Sequence, residues 1–199
     1  RPMRRAGYSV MTVSDGFIKF VVCTILDKIR RTKVPILVLN VCWTRGRSMG
    51  NRKLCHRLHV QKICLGGKPI ALARSVDAAR SVSNFRFFAS FGRQQTEMTF
   101  EMEDAMNYVH RSPVGTVGLI TPWNLPLYLL TWKVAPALLM GNTIIAKPSE
   151  VTPLTANLLA ETLLELELPK GVFNLVHGLG PEVGQAILEH TKIKAISFT

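Results

Sequence analysis

Residues 113–156 read PVGTVGLITPWNLPLYLLTWKVAPALLMGNTIIAKPSEVTPLTA, and the punctuation of this stretch decides the fold. Gly115–Thr121 is a short apolar run, Leu125–Met140 a much longer one, and Thr143–Lys147 a second short run behind a Gly141–Asn142 turn. Short apolar runs between turn signals read as buried strands, and a run of helical length between them reads as a crossover helix. Toward the C-terminus the alternation continues. Thr152 can cap a helix with Pro153 at its first position, and Ala156, Leu159, Leu163 and Leu166 give that helix a buried face. Pro169–Gly171 turns into a strand at Val172–Val176, Gly178–Gly180 turns again, Pro181 opens a helix through His190, and Ala195–Phe198 begins a fourth strand. Strand and helix in strict alternation with short links predict an α/β fold, a Rossmann-like parallel sheet wound by right-handed crossovers. The strands are largely apolar, as expected when both faces are covered.

Upstream the pattern weakens by steps. Thr96–His110 alternates loosely, as a strand or hairpin arm does. Leu72, Val76, Ala79, Val82, Phe85 and Phe88 recur every three or four residues and predict an amphipathic helix running to about Phe91. Before Gly67 sustained periodicity is missing.

Charge divides the chain at the same place. Residues 1–68 hold 15 Lys/Arg and 2 Asp/Glu, whereas residues 69–199 hold 10 and 11, so the whole formal net charge of +12 belongs to the first third. The expected organisation is therefore a basic, unrecognised segment over 1–66 and a partial dinucleotide-binding domain over 67–199. Three readings of the basic segment stay open: a frame-shifted or unrelated extension, a diverged native segment, and a basic arm that binds nucleic acid or a partner, with Tyr8 and Trp43 as stacking residues. Nucleic acid is not the expected partner of the chain as a whole.

All four cysteines, Cys23, Cys42, Cys55 and Cys64, lie in that segment without CxxC spacing, which excludes a disulfide framework. Cys55, His56, His59 and Cys64 fit no common zinc spacing, so no metal is expected. The apolar runs Ile18–Leu26 and Pro35–Cys42 are too short to span a bilayer, and Val114–Ala146 is interrupted by Pro122, Pro126, Pro136, Gly141 and Asn142. The default setting is cytoplasmic.

In wound parallel sheets ligands bind beyond the carboxyl ends of the strands. Three such ends carry chemistry. After the first come Thr121, Pro122, Trp123 and Asn124, whose amide N–H can stabilise a developing oxyanion or, more plainly, cap a helix. After the second come Lys147, Pro148, Ser149 and Glu150. A cation and a carboxylate there can bond both hydroxyls of a ribose, and the carboxylate would repel a 2′-phosphate; the alternative is a surface ion pair. The third end, Gly178-Leu179-Gly180-Pro181-Glu182-Val183-Gly184, has GxGxxxG spacing, which differs from the GxGxxG fingerprint and is weak alone.

Taken together, these residues resemble the NAD-dependent aldehyde dehydrogenase superfamily in order and spacing. The resemblance is carried by the stretch quoted above, by GVFNLVHGLGPEVGQAILEH and AISFT after it, and by LARSVDAARSVSNFRFFAS before it, about 130 residues in all. Its wording is nearest to the aminomuconate- and hydroxymuconate-semialdehyde dehydrogenases. The resemblance implies NAD as cofactor, an aldehyde as substrate and a homo-oligomer as the assembly. It implies that Asn124 holds the oxyanion, that Ile120, Thr121, Pro122 and Trp123 line the nicotinamide side, and that Lys147, Ser149 and Glu150 sit at the adenine ribose. Gly180 and Gly184 would let the chain approach the adenosine half, and Phe198 and Thr199 would begin the turn against the pyrophosphate. The family's nucleophilic cysteine and general-base glutamate are expected from sequence well beyond Thr199, and no cysteine here occupies a matching place, since all four precede the first strand. The chain by itself is therefore expected to be an inactive fragment with at best weak NAD affinity.

Overall fold

The computed structural model describes residue 67 and residues 69–199. The basic segment, its cysteines and the Cys55/His56/His59/Cys64 grouping lie outside the described residues. Helix α1 (Ala79–Gln94) is preceded without a break by a π-helical stretch, Ala73–Ala78, and a turn at Ile70–Leu72. Strands β1 (Thr99–Glu101) and β2 (Met106–Tyr108) follow, then β3 (Thr116–Ile120), α2 (Pro126–Leu139), β4 (Thr143–Lys147), α3 (Leu154–Glu165) and β5 (Phe173–Leu175). A π-helical turn at Gly180–Gly184 leads into the short α4 (Gln185–Glu189), and β6 (Ile193–Phe198) closes the series.

The expected parallel sheet is present, with strand order β5-β4-β3-β6. β3 pairs with β4 from Thr116↔Thr143 to Ile120↔Lys147, and with β6 from Thr116↔Ile193 to Ile120↔Phe198, both parallel. Alternation along the strands assigns the two faces. Val117, Leu119, Ile144 and Ala146 share a core with Leu127, Leu130, Val134 and Leu138 of α2 and Ala156, Leu159 and Leu163 of α3. Ile120 and Ile145 pack on the other face with Val183 and Ile187. Gly118 decides how close α4 comes, because a Cβ there would stand 2.7 Å from Ile187 Cγ2. The order follows from chain direction: β3, β4 and β5 step one way, and the return to β6 lands beside β3. That reversal is the topological switch point, between the carboxyl ends of β3 and β6.

Several expectations change in detail. Thr96–His110 forms an antiparallel hairpin, β1 with β2. The long upstream helix exists, but Leu72 and Ala79 of its expected buried face are exposed, while Asp77, Ser81 and Asn84 are buried. Apolar periodicity misses this polar stripe, whose Asp77 and Asn84 bond to α2 and whose Ser81 bonds to Asp77 O. Pro136 lies inside α2 instead of at an end. Thr152 does not cap α3: its N-cap is Pro153, without a side-chain cap bond, and Thr152 Oγ1 is buried without a hydrogen-bond partner.

Candidate functional site

The carboxyl rim of the sheet collects most of the expected residues, and backbone bonds hold them there. Thr121 N–H donates to Lys147 O at 3.2 Å, Thr199 N–H to Ile120 O at 3.3 Å, and Val176 N–H to Ala146 O at 2.9 Å. The ends of β6, β3, β4 and β5 therefore stand side by side, with Phe198 and Thr199, Ile120 and Thr121, Lys147, and His177 along one edge.

Lys147 is the centre of that edge. Its side chain is only 3% exposed, and Nζ donates to Glu150 Oε2 at 3.1 Å and to Pro148 O at 3.1 Å. Glu150 is 46% exposed, so the pair bridges the interior and the surface instead of lying wholly on the surface. The Glu150 carboxyl is held below its ordinary range, first by its own backbone N–H and then by the Lys147 hydrogen bond. Ser149 is buried; its Oγ accepts the Val151 N–H at 3.3 Å and so shapes the turn that brings Glu150 back over Lys147.

His177, which the sequence reading passed over, completes this corner. Its Nε2 is 2.8 Å from Asn157 Oδ1 on α3. Burial pushes its pKa down, and the charge of Lys147 adds to the effect. The available signal was position alone: a polar ring at a strand end, next to the glycine segment.

Past β3 the chain leaves the interior quickly. Ile120 is buried in the core beneath α4, so a ligand at this end would meet its backbone and not its side chain. Pro122 is half-buried, Trp123 is 63% exposed and Asn124 is exposed, its Oδ1 accepting the Leu125 N–H at 3.0 Å. Past β5, Gly178 has φ +153°, and a Cβ there would strike Val183. A Cβ at Gly180 or Gly184 would meet nothing within 4 Å. Nothing in the packing of the described residues requires those two glycines, so they leave an open approach at the start of the last crossover.

The rim also gathers buried polar atoms without partners. Thr121 Oγ1, Thr152 Oγ1, Thr155 Oγ1 and His177 Nδ1 are buried and make no hydrogen bond within the described residues. Each costs about 1–3 kcal/mol unless something bonds to it. Thr121 and His177 lie just past the carboxyl ends of β3 and β5, and Thr152 and Thr155 lie at the start of α3. Lys133 on α2 lies nearby, donating to Ser197 Oγ of β6 at 2.7 Å, with its pKa lowered by burial. As the single charge in the apolar stretch 114–146, it was visible in the sequence. Among the described residues no group of three His, Cys, Asp or Glu side chains is placed to hold a metal, and no helix is long and apolar enough to cross a membrane.

Comparison with known proteins agrees with this architecture. The family model described as "Aldehyde dehydrogenase family" matches residues 55–199, beginning ahead of Gly67. The chain is 54% identical over 135 residues to the 2-aminomuconic semialdehyde dehydrogenase of Homo sapiens, a match covering 67% of this chain and 28% of that protein. Against the 2-hydroxymuconic semialdehyde dehydrogenase of Pseudomonas sp. (strain CF600) it is 48% identical over 139 residues, with 67% and 29% covered. The chain thus spans under a third of the length of these relatives. Among solved structures it is similar to PnpE in complex with nicotinamide adenine dinucleotide (TM-score 0.76, 34% identity, 90% of this chain and 37% of that one). It is also similar to the GapN glyceraldehyde-3-phosphate dehydrogenase of Methanocaldococcus jannaschii complexed with NADP (TM-score 0.78, 31% identity, 95% and 42% covered). On the family match, and on the parallel sheet and carboxyl rim that accompany it, this chain belongs to the aldehyde dehydrogenase family.

Proposed function

We propose that the whole protein oxidises an aldehyde to a carboxylic acid with NAD, and that the rim of β3, β4, β5 and β6 is the cofactor's seat. The observation that carries this is the buried Lys147 at the carboxyl end of β4, bonded to an exposed Glu150. A ribose offers what that corner needs: hydroxyls that accept from Lys147 and donate to Glu150. The carboxylate, kept ionised, disfavours a 2′-phosphate and so favours NAD over NADP. Thr121, Pro122 and Trp123 line the path toward the nicotinamide, Ser149 shapes the ribose turn, Gly180 and Gly184 admit the adenosine half, and Phe198 and Thr199 lie toward the pyrophosphate. When bound, the nicotinamide accepts the hydride that leaves the aldehyde carbon. The Nδ2 group of Asn124 donates to the oxygen that becomes negative at that carbon.

The thiolate of the family's chemistry has no counterpart among residues 69–199, which contain no cysteine. The 199-residue chain is accordingly an inactive piece with weak NAD affinity. A semialdehyde is the first substrate class to assay for the whole protein, because the relatives at 54% and 48% identity carry that name. Cytoplasmic location and homo-oligomeric assembly belong to the same reading through the family resemblance. No observation favours the basic-arm alternative, whose residues are not described.

The test is a parallel titration of the chain with NAD and NADP. NAD is expected to bind with a dissociation constant on the order of 0.1–1 mM, and NADP about tenfold more weakly. Equal affinity, or a preference for NADP, contradicts the role given to Glu150.

A further inference from the structure

Helix α2 begins just beyond Asn124, and its own N-terminus does not supply its cap. The N-cap position is Leu125, without a side-chain cap bond, and Asn124 Oδ1 is already bonded to the Leu125 N–H. The acceptor comes from the upstream helix. Asp77 Oδ1 accepts the N–H of Tyr128, the third residue of α2, at 2.8 Å. That is the bond an N-cap side chain ordinarily makes. The carbonyl of the same residue is also held: Asn84 Nδ2 donates to Tyr128 O at 3.1 Å and to Thr131 Oγ1 at 3.0 Å. Thr131 Oγ1 in turn donates to Tyr128 O at 3.0 Å, and Ser81 Oγ donates to Asp77 O at 2.6 Å.

Asp77 is 0% exposed, and Ser81 and Asn84 are buried with it, in a helix–helix seam where apolar side chains would cost nothing to desolvate. Asp77 also stands in the π-helical stretch Ala73–Ala78, a rare wider turn of the kind frequent at functional sites. Its bond to Tyr128 fixes the first turn of α2, which begins two residues after the candidate oxyanion amide.

We propose that Asp77 is a positioning residue: by capping α2 from the neighbouring helix, with Asn84 gripping the same turn, it sets where the Asn124 carboxamide and the Trp123 ring stand at the rim. The proposal rests on the oxyanion reading of Asn124 for its purpose, but its geometry can be tested without cofactor or turnover. Proton–nitrogen correlation spectra of the 199-residue chain would be compared for wild type, Asp77→Ala, Asp77→Asn, Asn84→Ala and Leu159→Ala. Asp77→Ala is expected to displace the Asn124 side-chain amide and Trp123 indole signals, and to raise exchange of the Tyr128 amide about tenfold. Asp77→Asn, whose carboxamide oxygen can accept the same bond, should hold all three near wild type. Asn84→Ala should displace the same signals by less, which keeps the proposal testable if Asp77→Ala does not fold. Leu159→Ala, a core truncation in α3, should lower the melting temperature and leave them in place.

Asn124 and Trp123 signals unmoved by Asp77→Ala, or moved equally by Leu159→Ala, would overturn the proposal. So would failure of Asp77→Asn to restore them. Full turnover by a whole enzyme carrying Asn124→Ala would instead sink the oxyanion reading and leave the Asp77 result standing.

Discussion

At the residue scale, burial sets Lys147 and Glu150 apart from an ordinary surface pair. A surface pair contributes little, because water competes for both partners. Here the ammonium is buried and the carboxylate faces out, so the cation's position is fixed and the anion can meet a ligand. Lys147→Ala should weaken NAD binding about ten- to hundredfold by calorimetry. Glu150→Gln should bring NAD and NADP affinities within about threefold of each other. His177 gives a pH dependence. Its folded pKa lies below the ordinary value of 6.5, so the unfolded chain binds more protons between the two values. Stability from this group is complete above 6.5 and is lost as pH falls through the folded value. Thermal melts of His177→Gln against wild type should therefore converge as pH drops below 6.5 and separate above it. A constant offset across that range would contradict the assignment. Of these residues Lys147 and Glu150 were legible in sequence, because they stand at and just past a strand end. His177 was not, since its partner Asn157 lies on another element.

At the scale of elements, β3 and β4 were readable because burial on both faces leaves an uninterrupted apolar run, and the turns around them carry Gly, Pro and Asn. α1 was readable as a helix but not as an interface. Its buried side carries Asp77 and Asn84, which bond to α2, and Ser81, which bonds back to Asp77 O. Thr152 illustrates the reverse error: a residue type suited to capping, next to a proline, that does not cap. A close junction between sheet and helix is at Gly118, where α4 lies directly on β3. Gly118→Val would drive a branched side chain into Ile187, itself branched at Cβ and unable to swing away. It should cost about 1–3 kcal/mol in denaturant unfolding. Gly180→Ala, where a Cβ meets nothing, should leave stability within about 0.5 kcal/mol and weaken NAD instead. Should Gly180→Ala leave NAD binding untouched, the open approach at that turn is not used.

At the scale of the whole molecule, the described residues carry much exposed apolar surface. Met98, Phe100, Met102, Met106 and Tyr108 stand out on and beside the hairpin, and Phe87 stacks on Phe91 and Trp132 along α1 and α2. Surfaces of this kind associate. The chain should show concentration-dependent self-association by sedimentation, reduced by Phe100→Glu; monomeric behaviour at all concentrations would contradict this. The division of charge at residue 68 was plain in composition, whereas which faces the helices cover depended on pairings between distant segments. The account as a whole stands on the carboxyl rim being a dinucleotide seat. Its most direct test is chemical-shift mapping of the chain with millimolar NAD. The account predicts perturbations gathered at Thr121, Trp123, Asn124, Lys147, Glu150, His177, Gly180 and Gly184. Perturbations scattered over the helices, or missing from that rim, would contradict it.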